Sequence, residues 1–383
     1  MKFKEIQLRT FRNHGQSRIE CAPGRNVFVG NNGEGKTNIL EAISYVCLTK
    51  SFYASSDATA AQIGQAGFRV SAKAVSDIEV AYDIEIEYNK EIREKIIAVN
   101  KGIVEDRSSV IGMFPVVVLS PENGNVTLGA PADRRRFVDI VISQSNKSYL
   151  QDLMEYRRIL RQRNRILFDA RSGLRTPREV LEPWDESLIK VGTRISHQRS
   201  RFIQDFSPYL VTAFIDIAGK EEKPSIEFEP SVRSDASCSE DEEQNLFREQ
   251  LEQQRPEEQK LGTTLVGPHK DELALGINRL GLKAYASQGQ HKTFLVAMKI
   301  AEFFYLRERC QETPVLLLDD VFSELDGPRS EKLLAMTATL GQTFITSTDD
   351  RRFSEGMQHR NDFARYYVHQ GTVKFAEPAV FTN

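Results

Sequence analysis

Apolar residues near the start of the chain fall at strand-like positions, with Phe3, Ile6 and Leu8 leading in. A short apolar run, Asn26-Val27-Phe28-Val29, then ends at Gly30. This pattern predicts strands over residues 1–30. From Lys36 to Leu48 the spacing changes, and Ile39, Leu40, Ile43, Val46 and Cys47 recur at helical intervals. Alternation returns between Phe68 and Val104, where Val80, Tyr82, Ile84, Ile86 and Tyr88 sit two apart. That predicts a half-buried antiparallel sheet.

Between about 115 and 260 the character differs. The stretch from Asp133 to Phe206 reads as helical. After Leu261 the mixed pattern resumes, with a long helix predicted over Ala286–Arg309, a wholly apolar strand at Val315–Leu318 and one more buried strand at Phe344-Ile345-Thr346. Strand and helix signals at both ends of a helical middle imply one split α/β domain with an insertion. The expected division is a split α/β domain from 1–115 and 260–383, with a mainly helical lid or arm over 116–259.

Charge sharpens the middle segment. Between Arg134 and Arg201 there are 16 Lys/Arg against 8 Asp/Glu, whereas Glu221–Glu258 holds 13 acids and 4 bases. A formal net charge of −3 thus conceals a basic stretch and an acidic one. A uniformly basic coat for nucleic acid is excluded, and any polyanion contact must be local. The acidic core, Ser234–Asn245, reads as a mobile polar loop. Cys21, Cys47, Cys238 and Cys310 are far apart and read as reduced thiols. The first residues alternate and carry charges, unlike a secretory leader, and no run of about 18 apolar residues occurs. The expected address is cytoplasmic, with no membrane partner.

Gly30-Asn31-Asn32-Gly33-Glu34-Gly35-Lys36-Thr37 satisfies G-x-x-x-x-G-K-[ST] at every fixed position, between a predicted strand and a predicted helix. The glycines let successive backbone N–H groups face phosphate oxygens, and the helix start adds partial positive charge. In this reading the cradle runs from Gly30 to Asn38. Lys36 reaches the β- and γ-phosphates of ATP, and the Thr37 hydroxyl ligates Mg²⁺. The plain rival is a glycine-rich turn. Val315-Leu316-Leu317-Leu318 carries Asp319 and Asp320 at its carboxyl end, where parallel-sheet sites form. Asp319 is expected in the Mg²⁺ shell, and Asp320 is the candidate catalytic base that orients the attacking water.

Two short segments narrow the class. Ser287-Gln288-Gly289-Gln290 opens a predicted helix before the acidic strand, and Ser323-Glu324-Leu325-Asp326 follows the acids. Ser287 and Gly289 at a helix start make a second anion cradle. One nucleotide with two cradles implies a dimer, the second cradle capping the γ-phosphate held by a partner copy. Ser323 and Asp326 belong to the loop after the acids.

The order of phosphate loop, S-x-G-Q signature, acidic strand and S-x-L-D loop resembles the ATP-binding cassette superfamily, and in particular the heads of SMC-type ATPases. The details resemble the RecF family of recombination-repair proteins. Leu8-Arg9-Thr10-Phe11-Arg12-Asn13-His14 looks like its opening L-x-x-F-R-N-y. Gly30–Ile43, Leu119-Ser120-Pro121, Arg134–Asp139, Arg161–Asn164, Gly267-Pro268-His269-Lys270-Asp271 and Ala286–Lys292 match in order. The resemblance implies a cassette-type α/β ATPase split by a helical insertion, an ATP-dependent homodimer, and slow hydrolysis. It also implies DNA at gaps or single-strand/double-strand junctions, and recombination mediators such as RecR and RecO as partners.

Some positions depart from the pattern. Asp320 stands where the superfamily usually has Glu. The segment Phe344–Asp349 offers hydroxyls where a switch histidine is usual, and Lys270 replaces an arginine. The first two differences suit a timer more than a motor. Arg134, Arg135 and Arg136 are candidate DNA contacts. The run Arg157, Arg158, Arg161, Arg163 and Arg165 reads either as a phosphate-binding face or as a solvated face laced with Asp152 and Glu155. Phe11-Arg12-Asn13 is a candidate nucleotide contact, His269 reads as a hydrogen-bonded structural residue, and Trp184 as packing. Rival readings are the nucleotide-binding subunit of a transporter and a chromosome-cohesion head. The basic helical middle argues against the first, and the lack of sustained heptads against the second.

Overall fold

The computed structural model describes residues 1–52, 56–171, 178–233, 238–349, 353 and 363–375. The chain opens with β1 (Lys2–Phe11), β2 (His14–Glu20), β3 (Arg25–Val29) and α1 (Lys36–Leu48). Next come β4 (Gly67–Val75), β5 (Ala81–Asn89), β6 (Glu94–Val99), β7 (Gly102–Ile103) and β8 (Val116–Leu119). A helical stretch follows, α2 (Asn125–Leu128), α3 (Pro131–Ser145), α4 (Lys147–Arg171) and α5 (Arg178–Ala218). Then come β9 (Pro224–Glu229), α6 (Glu240–Leu261), β10 (Glu272–Ile277), β11 (Leu280–Gly281) and α7 (Leu282–Tyr285). The last elements are α8 (Gln288–Cys310), β12 (Val315–Leu318), α9 (Val321–Glu324), α10 (Gly327–Thr337), β13 (Thr343–Ser347), β14 (Phe363–His369) and β15 (Thr372–Phe375).

The chain forms two compact units. The first comprises residues 1–124, 212–220 and 288–383, and the second 125–211 and 221–287. In the first unit, one six-stranded sheet has the order β2-β1-β4-β5-β6-β7 and is antiparallel throughout. The other has the order β15-β14-β3-β13-β12-β8, with β14, β3, β13, β12 and β8 parallel. Helix α1 explains why the two sheets share one core. Its buried residues, among them Ile39, Leu40, Ile43, Tyr45, Val46 and Cys47, lie all round the helix, and a helix apolar on all sides must be covered on all sides. It packs against β1, β4 and β5 of one sheet and β8 and β13 of the other. Phe11 meets Tyr45 and Phe68 edge-on, with centroids 5.6 and 5.1 Å apart, which ties β1, α1 and β4 together. A register shift between Phe3 and Glu5 explains why the apolar phase of β1 jumps from odd Phe3 to even Ile6 and Leu8.

The second unit is mostly helical, with a three-stranded sheet in the order β11-β10-β9. Its interior is held by buried ion pairs. Arg163 is fully buried and reaches Asp185 at 2.7 Å, Glu258 at 2.6 Å and Thr264 Oγ1 at 2.8 Å. Arg199 bonds Asp139 and Asp271, each at 2.8 Å. Such charges are tolerated in an interior only when paired and hydrogen-bonded, as here.

Three expectations change. The unit boundaries differ from a division at 116 and 260. β8 pairs with β12, which keeps 116–119 in the first unit, and β9 pairs with β10, which keeps 260–287 in the second. The acidic stretch is helical from Glu240. Ser239 and Glu242 form a capping box, and Glu240, Asp241, Glu242 and Glu243 all fall in the first turn, where carboxylates favour the positive end of the helix. Residues 234–237 of that stretch lie outside the described residues. Val80 lies just before β5 and is exposed, whereas Ile84, Ile86 and Tyr88 are buried.

Candidate functional site

The loop between β3 and α1 leaves the carboxyl end of a strand buried along its whole length. Gly33 and Gly35 have φ of +82° and +106°, where a side chain would be strained. A Cβ on Gly30 would come within 2.4 Å of the Val368 carbonyl oxygen. The loop is therefore a backbone-lined cradle of the kind an anion fits. Lys36 is buried, and its Nζ donates to the carbonyls of Gly30 at 2.7 Å and Asn31 at 2.8 Å. Burial pulls its pKa below the usual lysine range, against the opposing fields of Asp320, Asp319 and Glu34.

Strand β12 is wholly buried and delivers Asp319 beside this loop. Asp319 Oδ1 accepts from Thr37 Oγ1 at 2.8 Å and from Thr346 Oγ1 at 2.7 Å. Burial pushes the Asp319 pKa up, and the two hydroxyl donors and Lys36 counter this while Asp320 adds to it. Asp320 stands in the left-handed region at φ +49°, and its N–H donates to Thr346 Oγ1 at 2.9 Å. Residues 282 positions apart thus share one pair of oxygens. Hard oxygen donors from Thr37 and Asp319 suit Mg²⁺, which takes one or two protein oxygens and completes its shell with phosphate and water. No cage of three or more His, Cys, Asp or Glu residues occurs among the described residues.

Asn38 sits in the first turn of α1, and its Nδ2 donates to Asn13 Oδ1 at 2.8 Å. The Phe11-Arg12-Asn13 segment braces the loop. Arg12 pairs in two-pronged fashion with Glu41 of α1, both contacts at 2.8 Å, and Asn13 Nδ2 donates to the Glu34 carbonyl at 3.0 Å. Reading this segment as a nucleotide contact missed that role.

The signature lies at the start of α8, which begins at Gln288, two residues after the expected start at Ala286. Ser287 and Gln288 are exposed, Gly289 and Gln290 half-buried, and the division between the two units falls between Ser287 and Gln288. Thr293 Oγ1 donates to the Gly289 carbonyl at 2.8 Å. Lys292 pairs with Glu324 at 2.7 Å, linking α8 to α9, the short helix after the acids. In α9 Ser323 Oγ donates to the Asp320 carbonyl at 2.8 Å, and beyond it Asp326 caps α10 by accepting from the Arg329 N–H at 3.0 Å.

The arginines divide sharply. Arg134 is committed to Glu272 at 2.8 and 2.9 Å, and Arg135 Nη1 donates to the Asp271 carbonyl at 2.6 Å. Arg136 is exposed. On α4, Arg163 points inward, while Arg157, Arg158, Arg161 and Arg165 are exposed. Three of these face acids, namely Asp139, Glu155 and Asp169 at 3.5, 3.9 and 3.1 Å. Asp152 pairs instead with Arg194. His269 is bound on both ring nitrogens, to Tyr156 Oη at 2.8 Å and the Thr264 carbonyl at 3.0 Å. Burial lowers its pKa to about 4. It is a structural residue, and Trp184 is half-buried on α5. Thr346 and His14 were not singled out as site residues. Neither a strand hydroxyl nor an imidazole 21 residues before its partner carries a local signal of what it meets.

Residues 2–374 match the family model of the RecF/RecN/SMC N-terminal domain. The chain is 41% identical over 362 residues to the DNA replication and repair protein RecF of Chloroherpeton thalassium, a match that covers 94% of this chain and 98% of the relative. It is 39% identical over 347 residues to that of Salinibacter ruber, covering 90% and 84%. The solved structure of the recombination mediator protein RecF with ATP, in the RecFOR pathway, superimposes with a TM-score of 0.90 at 29% identity, covering 98% of this chain and 97% of that one. The corresponding structure with ATPrS gives 0.88 at the same identity, covering 97% of each.

Proposed function

The chain belongs to the RecF family within the RecF/RecN/SMC proteins, and from that premise we propose that it is a DNA repair and replication ATPase whose ATP-bound form is a dimer on DNA. The observation that carries this reading is the meeting of Thr37 and Asp319 at 2.8 Å beside a glycine-lined loop closed by Lys36. The Gly30–Asn38 cradle takes the phosphates of ATP, and Lys36 moves from the loop carbonyls to the β- and γ-phosphates. Thr37 and Asp319 hold Mg²⁺, which when bound neutralises charge on the phosphates. Asp320 orients the attacking water and draws its proton. Its strained backbone and its tie to Thr346 fix where that carboxylate stands.

Ser287 and Gly289 cap the γ-phosphate bound by a partner copy, which makes pairing dependent on ATP and hydrolysis the release step. The exposure of Ser287 supports this role. Matches to RecF relatives over 90% and 94% of the chain favour this reading over a transporter subunit or a cohesion head. Its partners in this reading are DNA gaps or junctions and recombination mediators of the RecO and RecR kind. The reading includes a cytoplasmic setting, and no described helix is long and apolar enough to cross a membrane.

The test is analytical ultracentrifugation of wild type and Ser287→Arg with ATP, with ADP and with gapped DNA. Wild type should pair with ATP only. Ser287→Arg, with its own phosphate loop intact, should bind ATP and remain a monomer. A Ser287→Arg protein that pairs normally removes the cap in trans from the mechanism.

A further inference from the structure

A trans peptide is planar, so the C=O of one residue points opposite to the N–H of the next. Whatever holds a carbonyl of the phosphate loop therefore aims the amide that follows. The Glu34 carbonyl accepts from Asn13 Nδ2 at 3.0 Å and from the Gly371 N–H at 2.9 Å. The Gly35 carbonyl accepts from His14 Nε2 at 3.0 Å and from the Asn38 N–H at 3.2 Å. The amides aimed by these anchors are those of Gly35 and Lys36, at the start of α1, where helix N–H groups lack internal partners and meet anions.

His14 is fully buried, and both ring nitrogens are engaged. A carbonyl only accepts, so Nε2 carries a proton. Nδ1 is then an acceptor 2.9 Å from Ser17 Oγ, and the one proton of that hydroxyl goes to Nδ1 or to its alternative acceptor, the Gly371 carbonyl at 3.1 Å. The three turns are pressed together. A Cβ on Gly35 would come within 2.4 Å of Asn13 Oδ1 and 2.9 Å of His14 Nε2, and one on Gly371 within 2.1 Å of the Asn13 carbonyl oxygen. The β14–β15 turn also grips Glu34 directly, since the Gln370 N–H donates to its carboxylate. A buried histidine satisfied by arbitrary core carbonyls would carry no message. This one holds the Gly35 carbonyl beside the point where a hairpin 336 residues away bonds Glu34.

We propose that His14 is a positioning residue for phosphate recognition. Ser17, donating to Nδ1, holds the tautomer whose Nε2–H grips the Gly35 carbonyl and keeps the Lys36 amide aimed at bound phosphate. This role rests on the phosphate-loop reading of residues 30–38. The imidazole itself does not touch the nucleotide; it preorganises a backbone donor, which lowers the cost of ordering the loop on binding.

Isothermal titration of the full chain with Mg²⁺ and inorganic tripolyphosphate, a probe that reports phosphate contacts alone, tests the role. His14→Phe keeps a ring and removes the donor, and should bind about tenfold more weakly, the worth of one hydrogen bond. His14→Gln returns an N–H near the Nε2 position and should stay within about threefold of wild type. Rescue of this kind is not expected from a residue that only fills space. Equal losses in the two variants, or wild-type affinity in His14→Phe, overturn the proposal. Lys36→Ala, measured beside them, separates the two levels. Unchanged affinity there sinks the phosphate-loop reading itself, whereas a loss there with none in His14→Phe sinks only the positioning role. Should His14→Phe fail to fold, Ser17→Ala decides. A severalfold loss supports the link and wild-type affinity refutes it.

Discussion

Replacing Thr346 with Val tests the acidic half of the site with almost no change in shape. Thr346 is buried on β13, its hydroxyl donating to Asp319 at 2.7 Å and accepting from the Asp320 N–H at 2.9 Å. Valine removes both bonds. The Asp320 N–H then lies unpaired in a dry setting, at about 1–3 kcal/mol, and the Asp319 carboxylate loses a donor worth about 1.5–3 kcal/mol. Relaxation offsets part of this, so unfolding free energy should drop by about 2–4 kcal/mol. Asp320 holds a left-handed backbone that costs about 1–3 kcal/mol and persists only while its surroundings enforce it. Loss of the Thr346 bond should therefore let its carboxylate wander. Asp319, already pushed up by burial, should rise further and need a higher pH to hold Mg²⁺. Urea unfolding without nucleotide gives the stability term. ATP titration and steady-state hydrolysis across Mg²⁺ concentrations give the rest. Affinity for ATP should stay near wild type, because Lys36 and the loop are untouched, while hydrolysis falls and its Mg²⁺ requirement rises. A variant that unfolds within about 0.5 kcal/mol of wild type, the usual range for neutral surface changes, with an unaltered Mg²⁺ profile, would refute the claim that this hydroxyl organises both carboxylates.

Three further outcomes are expected. Asp320→Asn should bind ATP, hydrolyse little and accumulate as the ATP-bound dimer in sedimentation; rapid turnover would show that another group serves the water. Arg136→Glu should flatten the salt dependence of DNA binding by the loss of about one phosphate contact, whereas an unaltered slope would move the DNA path elsewhere. His269 has a folded pKa of about 4, below the usual value near 6.5, so folding favours the neutral ring. Between those pH values the unfolded chain binds a proton that the folded chain refuses. Stability is then fully present near neutrality and falls on acidification through that window, by up to about 3 kcal/mol. Urea midpoints from pH 7 to 4 should show this slope, and His269→Gln should lose it.

What the sequence determined by itself was whatever depends on neighbours in the chain. The glycine-rich turn between β3 and α1 is legible because Gly30 to Thr37 are consecutive and lead into a helix start. Val315–Asp320 is legible because an apolar run ending in acids dictates a buried strand with charges at its exit. The ordered motifs also placed the chain in its family and predicted a split α/β architecture. Among the helical residues, the pattern identified α8 and a helical stretch over 133–206, but it could not tell that Arg163 points inward while Arg161 faces out. That choice depends on Asp185 and Glu258, two partners outside the helix.

Tertiary structure decided everything that rests on pairs distant in sequence. The capping box of α6 is the opposite case, a local signal, Ser239 to Glu242, that was overlooked, whereas the pairing of β9 with β10 moved the boundary between the units. The third partner of the acidic pair is Thr346, a hydroxyl whose sequence surroundings resemble any buried strand. The braces of the phosphate loop, His14 and Gly371, lie at opposite ends of the chain. Local periodicity reports which face of an element is buried. Hydrogen-bond partners are chosen only when the elements pack, since a donor's worth depends on whether water has been excluded around it and which acceptor has been brought within 3 Å or so.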